Sequence, residues 1–92
     1  MSTHLRITGL VQGVGYRAAF AAQARALKLS GWVRNRADGS VEAAVAGEPA
    51  AVQKIIDWAW RGPASAQVRN VTLADVDDAP LAAGSFEMLP TT

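Results

Sequence analysis

Residues 32–46 read Trp-Val-Arg-Asn-Arg-Ala-Asp-Gly-Ser-Val-Glu-Ala-Ala-Val-Ala, and they decide the fold. Asp38-Gly39 sits between two strand-like runs, Trp32–Ala37 and Val41–Ala46, and Asp-Gly between such runs is a strong hairpin signal. In the second run Val41, Ala43 and Val45 alternate with Glu42 and Ala44, the period of a strand with one apolar face. Two adjacent strands at the middle of the chain, with a helix expected on either side, exclude a simple alternation of strand and helix.

On the N-terminal side, His4–Val11 alternates: Leu5, Ile7, Gly9 and Val11 share one side and Arg6 and Thr8 the other. Gln12–Arg17 breaks the pattern with two glycines. Ala18–Leu29 is rich in helix formers, with Phe20, Ala24 and Leu27 at i, i+4 and i+7, and Ser30-Gly31 is expected to end that helix. On the C-terminal side, Glu48 and Pro49 suit the start of a second helix, Pro at its first position and Glu at the positive end of its dipole. Its apolar stripe is read as Val52, Ile55, Ile56, Ala59 and Trp60, with Trp58 off the stripe. Arg61-Gly62-Pro63 stops it. Val68–Val76 reads as a fourth strand and Ser85–Leu89 as a short fifth, and Pro90-Thr91-Thr92 as a short tail. The order βαββαβ plus a final strand predicts an α+β, ferredoxin-like split-βαβ domain, an antiparallel sheet with two helices on one face.

The bulk properties narrow the class. Ninety-two residues, half of them hydrophobic and 18% charged, make one folded domain over residues 1–92. With no cysteine there is no disulfide, thiol nucleophile or iron–sulfur site, and a single histidine, His4, leaves no histidine-rich metal cage. Nine basic and eight acidic residues give a formal charge of +1, so no bulk field draws nucleic acid or an acidic membrane. The start of the chain carries no secretory pattern, and the cytoplasm is the expected compartment. His4 is expected to be exposed at a strand start, and Arg34 and Arg36 to lie on a solvated strand face. Asp75, Asp77 and Asp78 lack the glycine and later glutamate of a calcium loop and read as a solvated turn.

Two segments carry candidate chemistry. Val11-Gln12-Gly13-Val14-Gly15-Tyr16-Arg17 joins a strand to a helix N-terminus, where backbone N–H groups lack helical partners and the dipole is positive. Two glycines let such a loop curl into a nest that takes a phosphate-sized anion, and Arg17 adds a guanidinium fork suited to phosphate oxygens. The loop is neither the dinucleotide fingerprint, whose third glycine it lacks, nor a P-loop, since no Gly-Lys-Ser/Thr follows. Read alone, it fits an ordinary glycine connection with a surface arginine better than an anion site. Asn35, a residue type depleted in strands, has the parity of Val33 and either starts the hairpin turn or does chemistry at the end of the core.

Together the two segments resemble the acylphosphatase family. Val11 to Arg17 is similar to its first motif, and Gly31-Trp32-Val33-Arg34-Asn35-Arg36-Ala37-Asp38-Gly39-Ser40-Val41, closing at Gly47, is similar to its second. The resemblance covers nearly the whole chain. It implies hydrolysis of a small-molecule acyl phosphate to a carboxylate and inorganic phosphate, with the phosphate held by Arg17 and the backbone N–H groups of Gln12, Gly13, Val14, Gly15, Tyr16 and Arg17, and a water oriented by Asn35. It implies no cofactor and no metal, and a monomer is expected. The chemistry is consistent: a carboxylate leaving group, whose conjugate acid has a pKa of about 4–5, needs no general acid, and phosphoryl transfer rests on positioning and electrostatics. The alternative is a non-catalytic ferredoxin-like module that binds RNA or carbamoyl phosphate. Paired strand aromatics for RNA are missing. The larger hydrogenase-maturation proteins that begin with such domains continue into cysteine-rich segments, which favours a free-standing enzyme here.

Overall fold

The computed structural model describes residues 2–76 and 85–92. In chain order the elements are β1 (Ser2–Leu10), α1 (Tyr16–Ala26), β2 (Ser30–Asn35), β3 (Val41–Ala46), α2 (Pro49–Arg61), β4 (Gln67–Val76) and β5 (Phe86–Met88). They form a five-stranded sheet in the order β4-β1-β3-β2-β5. The first four strands pair antiparallel, and β5 runs parallel to β2, placing Gly31 opposite Phe86 and Val33 opposite Met88. The sheet is therefore mixed, where an antiparallel one was expected; the βαββαβ core is the ferredoxin-like arrangement. None of the described helices is long and apolar enough to cross a membrane.

The alternation of β1 and β3 sends Leu5, Ile7, Val41, Ala43 and Val45 to one face, all fully buried. Both helices cover that face, α1 over β2 and β5 and α2 over β4. Tyr16 and Phe20 of α1, Trp58 of α2 and Phe86 of β5 meet there, with ring centroids 5.3–6.3 Å apart. Phe20 touches three of these rings and is wholly buried; cutting such a ring back to alanine costs about 3–5 kcal/mol.

Several sequence expectations are corrected. Helix α1 starts at Tyr16, not Ala18, because Tyr16 lies one turn before Phe20 and joins the same buried stripe. It ends at Ala26, not at Gly31: Lys28 takes the left-handed conformation, with φ 59°, and the Leu29 N–H donates to the Ala24 carbonyl at 2.9 Å, so Ser30-Gly31 is free to begin β2. In α2 the tryptophans exchange roles. Trp58 is buried, whereas Trp60 is half exposed. At about 100° per residue, Trp60 stands some 140° from Ile55, while Trp58 and Ala59 flank Ile55 on either side.

On the opposite face, His4 is not exposed, and Arg34 and Arg36 are not simply solvated. All three bond to Glu42: His4 Nε2 lies 2.7 Å from Oε2, and Arg34 Nε and Arg36 Nη1 lie 2.8 and 3.1 Å from Oε1. The cause is topological. Strand β3 lies between β1 and β2, so the side chain of Glu42 is sheltered by both neighbours. Nor do the last residues hang free. The Leu89 N–H donates to the Val33 carbonyl (2.9 Å), the Thr92 N–H to Asn35 (3.1 Å), and the Ala37 N–H to the Thr92 carbonyl (2.7 Å). They continue along the edge of β2 that β5 leaves uncovered. Of the acidic group at 75–78, Asp77 and Asp78 lie outside the described residues.

Candidate active site

The loop from Val11 to Gly15 leaves β1 and enters α1 at the end of the sheet where β2 also finishes. Val11 is buried and anchors the loop to the core. Gly13 and Gly15 hold φ 75° and 80°, and a Cβ at either would meet nothing within 4 Å. It is the left-handed backbone, not lack of space, that calls for glycine at both. Gly15 is the N-cap of α1 and brings no capping side chain. The first intrahelical bond is Ala19 N–H to the Gly15 carbonyl at 3.0 Å, so the N–H groups of the preceding residues are without helical partners. They sit at the positive end of the helix dipole.

This loop forms one wall of a cavity of about 210 Å³. Gln12, Gly13, Gly15, Tyr16 and Arg17 line it, and so does Asn35. The structure thus brings together five of the six loop residues singled out in the sequence with the hairpin asparagine. Val14 is the exception: it is half-buried and packs against the core. The Tyr16 ring is buried, its hydroxyl donates to the Ala59 carbonyl at 2.7 Å, and burial pushes its phenol pKa up. It is a floor for the loop, anchored from beneath.

Arg17, in the first turn of α1, is half-buried and donates through Nη1 to the Leu89 carbonyl at 3.2 Å. Among the described residues it pairs with no carboxylate. Asn35 is the last residue of β2, and its Oδ1 is buried with no hydrogen-bond partner among the described residues. A buried amide oxygen without a partner costs about 1–3 kcal/mol; the neighbouring Arg36 Nε is likewise buried without a partner among the described residues. Gln12 spends its side chain elsewhere: Nε2 donates to the carbonyls of Arg36 (2.8 Å) and Ser40 (2.9 Å) in the hairpin. At the tip of that hairpin Asp38 accepts from the Ser40 hydroxyl (2.6 Å) and N–H (2.9 Å) and pairs with Arg6. The two Ser40 bonds lead in holding its carboxyl down at about 2.

Val11, Ala18 and Met88 complete the lining. Met88 was not foreseen. It arrives through the parallel pairing of β5 with β2, for which the short run Ser85–Leu89 carries no local signal. The Leu89 carbonyl beside Arg17 is hidden in sequence for the same reason. Among the described residues Arg17 is the one charged side chain in the lining, which it shares with a glycine loop and Asn35, so the cavity suits a small anion.

Ferredoxin-like topology with a glycine-bearing loop at a helix start, beside an arginine and a strand-end asparagine, defines a class of small α+β domain. The comparisons with known proteins narrow it. The Acylphosphatase family model matches residues 3–88. An acylphosphatase from Azoarcus sp. (strain BH72) is 51% identical over 87 residues, covering 95% of this chain and 87% of that one. The crystal structure of acylphosphatase from Bacillus subtilis superposes with a TM-score of 0.88 at 28% identity, covering 96% of this chain and 97% of that chain. The crystal structure of full-length HypF in the phosphate- and nucleotide-bound form contains the same fold, with a TM-score of 0.86 at 23% identity, over 98% of this chain but 12% of that one. The chain belongs to the acylphosphatase family, a family of enzymes.

Proposed function

We propose that this chain hydrolyses an acyl phosphate to a carboxylate and inorganic phosphate by in-line attack of a water on phosphorus. Arg17 and the backbone N–H groups of the Gln12–Arg17 loop hold the phosphoryl group, and Asn35 orients the water through its Oδ1. The oxygen of the water bonds to phosphorus as the bond from phosphorus to the acyl oxygen breaks. The carboxylate leaves with that electron pair, and a phosphate oxygen takes the proton. The observation that carries the reading is the buried, partnerless Oδ1 of Asn35 on the same cavity wall system as Arg17 and the glycine loop. Asn35 is not a base. It fixes a water's direction, and positioning alone supplies large rate factors. With no acid–base pair among the described lining residues, the site matches a substrate whose leaving group departs unprotonated. A phosphate monoester, whose alkoxide leaving group is far more basic, does not qualify.

The likeness to HypF, at 23% identity, concerns the fold alone and does not favour a carbamoyl-phosphate-binding reading.

Inorganic phosphate tests this reading. It is expected to inhibit acyl-phosphate hydrolysis competitively and to stabilise the fold, by about 2.7 kcal/mol at 100 times its dissociation constant. No shift in melting temperature at that concentration would contradict the cradle. Equal turnover of an acyl phosphate and a phosphate monoester would contradict the mechanism.

A further inference from the structure

We propose that Gln12 is a positioning residue for Asn35. Its side-chain amide joins the loop to the β2–β3 hairpin and sets the distance between the phosphate cradle and the oriented water. The inference rests on the roles proposed above for the loop and for Asn35.

The geometry is specific. The two partners of the Gln12 amide, the carbonyls of Arg36 and Ser40, are both acceptors, at 2.8 and 2.9 Å. Only the NH₂ end of an amide satisfies both, and both of its hydrogens are consumed. The same two carbonyls close the hairpin on itself, Ser40 accepting from the Arg36 N–H (2.8 Å) and Arg36 from the Gly39 N–H (3.1 Å). Gln12 therefore grips the base of the turn from the side of the site. Asn35 stands directly before Arg36 and pairs with Val41, directly after Ser40. The clamp holds the two residues that flank that pair. Because no described residue donates a hydrogen bond to the Asn35 Oδ1, its placement comes from packing and from its backbone, and the backbone is the part Gln12 steadies. At its other end Gln12 is itself the start of the cradle, next to Gly13. One residue thus spans the two halves of the site, and a misplacement of about 1 Å between such halves can cost on the order of 100-fold in rate.

A purely structural role for these bonds would weaken the fold and leave chemistry in the folded protein alone. A double-mutant cycle separates the two. Gln12→Met keeps the length of the side chain and removes both donors. In the folded variant, kcat is expected to fall about tenfold or more while the inhibition constant of phosphate stays within about threefold. In an Asn35→Ala background the same substitution is expected to change kcat by less than about twofold, since there is no longer an amide to position. Gln12→Glu sets a carboxylate against two carbonyls. It is expected to fall below Gln12→Met at neutral pH and to recover toward it in acid, where a protonated carboxyl again donates one bond. Losses that multiply in the double mutant would overturn the proposal, as would a folded Gln12→Met protein with unchanged kcat while Asn35→Ala is impaired. If neither Gln12 variant folds, the amide serves stability and the proposal falls. A folded Asn35→Ala protein with normal turnover would bring down the parent reading of Asn35 together with this one.

Discussion

On the open face of the sheet, Glu42 takes a hydrogen bond from each of His4, Arg34 and Arg36, and Asp38 is shared between Ser40 and Arg6. At the cavity, Arg17 of α1 leans on a single backbone carbonyl, and the Oδ1 of Asn35, at the end of β2, is buried with no donor among the described residues. Both regions gather polar groups at the ends of β2 and β3. In the first, the carboxylates are neutralised by the chain itself, although the Arg36 Nε is buried without a partner among the described residues; in the second, Arg17 has no described carboxylate partner, and it and Asn35 both line a cavity. Carboxylates paired within the chain fit a structural role, and polar groups lining a cavity without such pairing fit the ligand site proposed above. Substitutions in the two regions should therefore separate cleanly, the cavity residues altering chemistry and binding and the open-face residues altering stability.

The largest effect is expected at Arg17. Arg17→Ala should lose both turnover and phosphate affinity, because the guanidinium would contact the phosphoryl group in the ground state and in the transition state. Arg17→Lys should recover little, since a point charge lacks the two-pronged contact. A folded Arg17→Ala protein that binds phosphate normally, measured by calorimetry, would place Arg17 with the structural arginines of the open face. Next comes Asn35→Ala, expected to lose on the order of 100-fold in kcat while retaining phosphate affinity, with circular dichroism and a melting curve confirming that the hairpin still folds. Near-normal kcat in the folded variant would leave the surplus amide oxygen without a role.

The smallest expected effect, and one confined to stability, belongs to Glu42. Burial raises its pKa, but the bonds from Arg34, His4 and Arg36 outweigh that and hold it near 2, against an ordinary 4.5. A carboxyl depressed in the folded state contributes stability that is complete above its unfolded pKa and lost as pH falls through its folded one. Urea unfolding should accordingly show stability declining between about pH 4.5 and about pH 2. Glu42→Gln should be less stable at pH 7 by about 1–3 kcal/mol, flatter across that acid window, and unchanged in phosphate inhibition. Parallel stability curves for the two proteins, or a shifted inhibition constant, would blur the division between the regions.

Much of the fold is legible in the sequence because its signals are local. The alternation of Leu5 and Ile7, the Asp38-Gly39 turn and the Pro49 helix start each act over a few residues, and the structure has strands, hairpin and helix there. Arg17 and Asn35 could be singled out because a loop at a helix start and an amide at the end of a strand are unusual chemistry for their positions, and because two motifs at a set separation carry a family resemblance. What escaped depends on partners distant in the chain. The parallel addition of β5, which delivers Met88 and the Leu89 carbonyl to the site, follows from a pairing with β2 more than fifty residues earlier. The three donors on Glu42 depend on β3 lying between β1 and β2. The roles of Trp58 and Trp60 turn on where the centre of an apolar stripe falls, which packing against Tyr16 and Phe20 decides and a list of hydrophobic positions does not.

The central claim is that Asn35 directs water at phosphorus and not at the acyl carbon. Hydrolysis of an acyl phosphate in ¹⁸O-labelled water, followed by mass spectrometry of both products in a single turnover, tests it most directly. The label is expected in inorganic phosphate, with the carboxylate retaining its original oxygens. Label in the carboxylate would mean attack at the carbonyl carbon and would contradict the assignment of the cavity.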